Sequence, residues 1–116
     1  MVSSPISDSF SCPIGSDTHE VEIRGNFTKL ISLSVYIVDD NKGPLLVSVY
    51  VIIEGVKHQI KQPTGIYDGV GYNAKRFYWQ GVLPISRSLV NTLVVEWANY
   101  SGSNIETVRV SGIVKR

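Results

Sequence analysis

Few side chains in this sequence could support nucleophilic chemistry. A Ser, Thr or Cys nucleophile needs a base beside it, and the only histidines among the 116 residues are His19 and His58. We place both at exposed-face positions of predicted strands, where a histidine is an ordinary surface residue. Cys12 is the one cysteine, so neither an internal disulfide nor a thiolate metal site can be completed. The sequence therefore predicts no catalytic residue, no cofactor and no enzyme.

Carboxylates are the second source of possible chemistry. A pair of them can hydrolyse glycosidic bonds, and Asp68, Glu54 and Glu96 lie near predicted loops or strand ends. No spacing in the sequence brings two of these three to the separation that such a reaction needs. We interpret them as solvated surface charges.

Two motifs could bind ions. Residues 39–41, Asp-Asp-Asn, supply oxygen ligands in one turn, but they lack the alternating ligands and terminal glutamate of an EF-hand loop. Gly65, Gly69 and Gly71 neither open a helix after a strand nor precede a Lys-Ser/Thr pair, as phosphate-binding loops do. We interpret the acidic run as a turn that ends a strand, and we expect no metal.

Aromatic residues give a stronger signal. Those in or beside loops of the second half of the chain are Tyr67, Tyr72, Tyr78, Trp79, Trp97 and Tyr100. Protein interfaces and sugar-binding platforms both use side chains of this kind. Trp79 and Trp97 fall on inward registers and are expected to pack in the core. Tyr67 and Tyr72, in a glycine-containing loop, are the better candidates for contact with a partner.

Composition narrows the classes of function. Charged residues make up 18% of the chain, against about 25% in typical domains, so the surface depends on Ser, Thr, Asn and Gln. The formal net charge is +1 and the basic residues are scattered, so neither nucleic acid nor a membrane is an expected partner. No signal-peptide pattern and no long apolar run is present. We expect a protein of a reducing, cytoplasmic compartment unless it is carried in a virion.

Alternation of apolar and polar residues predicts an all-β fold. The predicted strands cover residues 19–27, 30–38, 45–53, 56–61, 76–85, 91–99 and 105–114. Their spacing, with Gly, Pro or Asn between them, is typical of an antiparallel β-sandwich of jelly-roll type with about seven or eight strands. Residues 45–53 are apolar in both registers, which predicts a central strand covered on both faces. Residues 56–61 should form a hairpin partner at a sheet edge.

The alternation breaks in two places. Residues 1–18 are rich in Ser, Asp and Pro, with isolated apolar residues at Ile6, Phe10 and Ile14. They predict a flexible N-terminal arm, either a frayed terminus or a segment that docks on a neighbouring subunit, ahead of one β-sandwich domain over residues 19–116. Residues 62–74 mix Pro and Gly with Ile and Tyr and predict the longest loop.

The last third of the chain carries a resemblance to a known group. The segments FYWQGVLPI at 77–85, LVVEWAN at 93–99 and VRVSG at 108–112 resemble the C-terminal strands of small viral jelly rolls, in particular head-decoration (cement) proteins of tailed phages. The resemblance implies a protein that adds to a preformed capsid, often as a dimer or trimer, without catalysis.

We therefore expect a non-enzymatic structural protein that decorates and stabilises a virion shell, assembled in the host cytoplasm. Its partners would be capsid subunits or copies of itself, in a dimer or trimer. The residues expected to contact a partner are Ile6, Phe10, Ile14, Ile66, Tyr67, Tyr72 and Tyr78. The alternative is a carbohydrate-binding β-sandwich module in which Tyr67, Tyr72 or Trp79 stacks on sugar rings.

Overall fold

The computed structural model describes residues 3–68, 74–87 and 90–116, and these residues form nine β-strands and no helix. The strands are β1 (Ser3–Cys12), β2 (Gly15–Ile23), β3 (Lys29–Ile37), β4 (Leu45–Ile53), β5 (Val56–Gln59), β6 (Thr64–Ile66), β7 (Arg76–Pro84), β8 (Asn91–Asn99) and β9 (Ile105–Lys115). The bounds of β4 and β8 are those that the alternation predicted.

The strands form two antiparallel sheets. Sheet A has the order β1-β9-β3-β7, and sheet B has the order β2-β8-β4-β5, with β6 also paired to β4. The pairs β1–β9, β2–β8, β3–β7 and β4–β5 are nested around the β4–β5 turn and alternate between the sheets. This is the strand order of a jelly roll. The predicted all-β, jelly-roll-like sandwich is confirmed, with nine strands rather than seven or eight.

The core lies between the sheets, because alternate side chains of each strand point to the same face. Phe77 on β7 is the largest fully buried side chain. Around it, the inward positions of the other strands are filled mainly by branched aliphatic residues, among them Leu33, Val35, Val47, Val49, Val51, Leu93, Val95, Val108 and Val110. The sandwich is therefore held by apolar burial contributed by both sheets.

The predicted flexible arm over residues 1–18 is corrected by the structure. Residues 3–12 form β1, which pairs with β9 from Ser3 opposite Lys115 to Cys12 opposite Ile105. The predicted boundary after residue 18 falls inside β2. Strand β1 was missed because it gains its main-chain hydrogen bonds from a partner at the other end of the chain, while its serines weaken the apolar alternation.

The prediction that β4 is covered on both faces is wrong. Its inward residues as far as Val51 are fully buried, but its outward residues at positions 48, 50 and 52 are only half-buried, and Leu46 is 47% exposed. β4 lies inside sheet B, yet the outer face of the sheet is open at this position. The second apolar register therefore marks a surface. The predicted edge position of the residue 56–61 segment is confirmed by β5.

The loop predicted over residues 62–74 contains the short strand β6, which pairs with the start of β4. Ile66 at the end of β6 is fully buried. Tyr67 N donates to the Ala74 carbonyl, so the described ends of this loop are held together. The described part of the loop therefore contributes the side chain of Ile66 to the core.

Gly112 on β9 is a position where only a hydrogen atom fits. It lies between Ile6 of β1 and Leu33 of β3. A Cβ there would stand 2.6 Å from the main-chain oxygen of Ser32, closer than van der Waals contact permits. Sheet A can keep its spacing at this point only with glycine.

Gly112→Ala should lower the free energy of unfolding by about 1–3 kcal/mol, because the crowded backbone must shift. Gly65→Ala is the matched control, since a Cβ at Gly65 meets nothing within 4 Å, and its effect should stay within about 0.5 kcal/mol. Urea denaturation followed by tryptophan fluorescence measures both. Equal stability of the two variants would contradict the packing described for β9.

Candidate functional site

Of the two histidines, His19 contacts other side chains through its ring. It lies on β2, its Nε2 is 2.7 Å from Asp8 Oδ2 on β1, and its ring stacks on Phe10 at a centroid distance of 4.3 Å. His19 is thus half-buried against a neighbouring strand, and the prediction that it is an ordinary surface residue is wrong for it. His58 on β5 is exposed, as predicted.

The thiol of Cys12 is unsuited to nucleophilic chemistry. Cys12 is fully buried at the end of β1, and burial raises the pKa of its thiol to about 12. A nucleophilic cysteine needs the thiolate form, which is negligible at neutral pH under these conditions. Cys12 is a small apolar member of the core.

The three candidate carboxylates have separate roles. Glu54 Oε1 accepts a hydrogen bond from Ser86 Oγ, Glu96 Oε2 accepts one from Tyr50 OH, and Asp68 Oδ2 accepts one from the main-chain N–H of Asn41. Asp68 and Glu96 line different cavities. The structure therefore does not bring these carboxylates together as a hydrolytic pair.

The acidic turn after β3 binds main-chain N–H groups of β9. The two carboxylate oxygens of Asp39 accept the main-chain N–H groups of Glu106 and Thr107 at 2.8 and 2.9 Å. This contact joins the end of β3 to the start of β9. In the part of the chain that the structure describes, no group of three His, Cys, Asp or Glu side chains is arranged to hold a metal ion.

The predicted partner-contact residues differ in how far they are buried. Ile6 and Phe10 are half-buried and pack against the core, while Ile14, in the turn between β1 and β2, is 58% exposed. Tyr67 is half-buried. Ile66 is fully buried, so its prediction as a contact residue is corrected: its side chain fills the sandwich.

Two of the predicted partner-contact residues are the tyrosines Tyr78 and Tyr72. Tyr78 on β7 is 42% exposed on the outer face of sheet A. Tyr72 lies outside the described residues, and so do the neighbouring loop glycines at 69 and 71.

The expected core role of the tryptophans agrees with the structure, since Trp97 is buried and Trp79 packs against the core. Trp79 is therefore no platform for a sugar ring.

Apolar side chains gather at one end of sheet B, and we call Ile14, Pro44, Leu46 and Tyr100 the end patch. The register pairs Asn99 with both Gly15 and Leu45, so Ile14, Tyr100 and Pro44 are the next residues beyond these pairs. Tyr100 is 80% exposed. The patch was only partly predicted, because strand register, which brings its members together, cannot be deduced from local sequence.

The outer face of sheet A contains a groove of about 680 Å³, lined by residues from all four strands. Ser7, Ser111 and Ser34 lie side by side across β1, β9 and β3, and Tyr78 of β7 completes this row. Larger residues border these short side chains: Pro5 and Ile113 on one side, Tyr36 and Arg76 on the other. Short serines between bulkier neighbours make the surface concave.

Ser34 is the unusual member of the groove. It is only 9% exposed although it faces outward, and its Oγ has no hydrogen-bond partner among the described residues. A buried hydroxyl without a partner costs about 1–3 kcal/mol. Sequence reasoning gave no signal for this position, since a serine on a polar register looks like an ordinary surface residue.

No helix that could cross a membrane is found over residues 3–68, 74–87 and 90–116. The sequence matches no protein-family model and no curated protein.

Several solved structures are similar to this chain. The VP2 subviral particle of infectious bursal disease virus is similar with a TM-score of 0.50 at 12% identity, over 99% of this chain and 32% of that chain. The Gx strain of the same virus gives 0.48 at 11% identity, over 97% and 31%. The Drosophila NLP core, whose structure concerns pentamer formation and histone binding, gives 0.45 at 14% identity, over 97% and 98%.

The chain thus spans about a third of the length of these viral chains. The resemblance to jelly-roll virion proteins that the C-terminal strands indicated is confirmed at the level of the fold.

The contact between Asp8 and His19 makes a testable contribution to stability. A carboxylate only accepts hydrogen bonds, so the His19 ring N–H donates, and this bond holds the pKa of Asp8 below its ordinary value of 3.8. Because the folded-state pKa is lowered, the stabilisation is present above pH 3.8 and is lost as the pH falls through the folded-state value.

Asp8→Asn should therefore destabilise the protein at pH 6 by less than about 1 kcal/mol, as exposed pairs do. The difference between wild type and variant should shrink as the pH falls below 3.8 and should be lost below the lowered pKa of folded Asp8, where its carboxylate becomes protonated. Denaturant titrations at several pH values measure it. In a His19→Gln background the effect of Asp8→Asn should disappear, and an unchanged effect there would contradict the assigned partner.

Proposed function

We propose that this protein is a non-enzymatic structural protein of a virion, and that it stabilises a capsid by binding capsid subunits through the end patch. The observation that carries the proposal is the exposure of Ile14 and Tyr100 together at one end of the jelly roll. Large aromatic and aliphatic side chains left in solvent are typical of protein interfaces.

The fold supports the proposal. The chain is similar in fold to a domain-sized part of VP2, a protein of a virus particle. Double-sheet jelly rolls are found in viral capsid domains. Fold likeness alone does not assign a function, so the end patch supplies the specific argument.

The chemistry of the site favours binding over catalysis. The candidate nucleophile Cys12 is buried with a raised pKa, and the candidate carboxylates Glu54, Glu96 and Asp68 hold neighbouring groups of their own chain. A capsid contact requires only complementary surface. The end patch has little charge of its own, so its affinity would come mainly from apolar burial.

In the first experiment, a tagged copy of the chain is produced in the cells from which its gene comes, under conditions in which they form virus particles. After lysis, the virus particles are separated on a density gradient and identified by electron microscopy. Wild type should sediment with the particles, and the double variant Ile14→Ser/Tyr100→Ser should lose about tenfold or more of this association. Val82→Ser is the matched control, because Val82 is an apolar residue of sheet A whose exposure of 66% lies between those of Ile14 and Tyr100.

Two outcomes would overturn the proposal. In one, the wild-type chain stays in the slowly sedimenting fractions although particles are present. In the other, native mass spectrometry shows a dimer or trimer that the double variant dissociates. The end patch would then be an interface between copies of this chain. Circular dichroism of each variant checks that the fold is kept, as expected for exposed positions.

A further inference from the structure

We propose that the groove on the outer face of sheet A is a carbohydrate-binding site, with an acidic sugar at its Arg76 end. The proposal goes beyond the capsid contact and does not depend on it. It rests on the shape of the groove, on the buried hydroxyl of Ser34 and on the charges at one end.

The size and lining of the groove suit an oligosaccharide. Its volume of about 680 Å³ lies within the range of small-molecule sites, about 300–1,000 Å³. Its centre is a row of serine hydroxyls from three neighbouring strands, Ser7, Ser111 and Ser34. Each hydroxyl both donates and accepts a hydrogen bond, as a sugar hydroxyl does, so a sugar can be matched group by group.

Ser34 gives the groove an unsatisfied polar group. Its Oγ is buried and lacks a partner among the described residues. Ser34 lines the groove, so a sugar hydroxyl bound there can supply the missing partner. A bond made there is shielded from water and is therefore stronger than one made on the open surface.

Two tyrosines supply the apolar contact that a sugar ring needs. Tyr36 lies two residues after Ser34 on the same face of β3. Tyr78, on the neighbouring strand β7, lies directly opposite Ser34. Tyr78 is held in place, because its hydroxyl donates to Gln80 Oε1 at 3.1 Å and the Arg76 guanidinium lies 5.0 Å from its ring centre. A fixed, half-exposed ring is a ready surface on which a sugar ring can pack.

The charges at one end favour an acidic sugar. Lys75 and Arg76 line the groove there with a single carboxylate, Asp68, so this end is positive. Neither cation forms a salt bridge within the described residues. A guanidinium can bind a carboxylate through two parallel hydrogen bonds, which makes Arg76 the natural contact for an acidic group on the ligand.

The test begins with a printed array of neutral and acidic oligosaccharides. The best oligosaccharide is then titrated into the protein by calorimetry and NMR. Ser34→Ala should weaken binding about fivefold or more, the order expected for one lost hydrogen bond. Tyr78→Ala should weaken it at least as much, and Arg76→Gln should remove the advantage of acidic over neutral sugars.

Stability separates a binding role of Ser34 from a structural one. Because its hydroxyl is unpaired, Ser34→Ala should leave thermal stability unchanged or raise it while sugar binding is weakened. Ser48→Ala is the matched control: Ser48 is also a mid-strand, outward-facing serine, but on β4 of sheet B. Ser48→Ala should leave sugar binding unchanged.

Three results would overturn the proposal. The first is that the folded wild-type protein binds no oligosaccharide up to the order of millimolar concentration. The second is that it binds neutral sugars only, with an affinity that Arg76→Gln does not change. The third is that the Ser34→Ala and Tyr78→Ala variants bind the sugar as well as wild type does.

Discussion

The pairing of β1 with β9 is the constraint on which the rest of this jelly roll depends. It is the outermost of four nested strand pairs, and it joins the two ends of the described chain. β9 also pairs with β3, so its position fixes the register of sheet A on both sides. Gly112 permits the close spacing at this point, and Asp39 holds the start of β9 to the end of β3. Without β9, β1 would have no partner in sheet A and β3 would be paired only with β7.

The ease with which each strand could be predicted follows from where its stability originates. β4 and β8 were predicted to the residue because their own side chains form strongly apolar runs and their ends carry turn residues. β1 was missed because its serines give a weak pattern and its partner lies at the far end of the sequence. The exposure of Leu46 could not be foreseen either, since a strand apolar on both faces is the usual sign of double coverage.

Prediction of the candidate sites was limited by a related cause. Single residues such as Ile14 and Tyr78 were identified from composition, but the surfaces to which they belong exist only after the strands are in register. The groove combines short side chains from β1, β9 and β3, which are far apart in the sequence. The predicted contact residue Ile66 failed for the opposite reason: an apolar residue in a loop looks available until its loop forms a strand with the core beneath it.

The two proposed sites do not compete for the same surface. The end patch lies at one end of sheet B and the groove lies on the outer face of sheet A, so the two sites share no residue. Their chemistry also differs: the patch is apolar and exposed, whereas the groove has hydroxyls, two tyrosines and a positive end. A jelly roll bound to a larger assembly through the end of one sheet leaves the outer face of its other sheet free. The two proposals therefore concern different residues and are tested independently of each other.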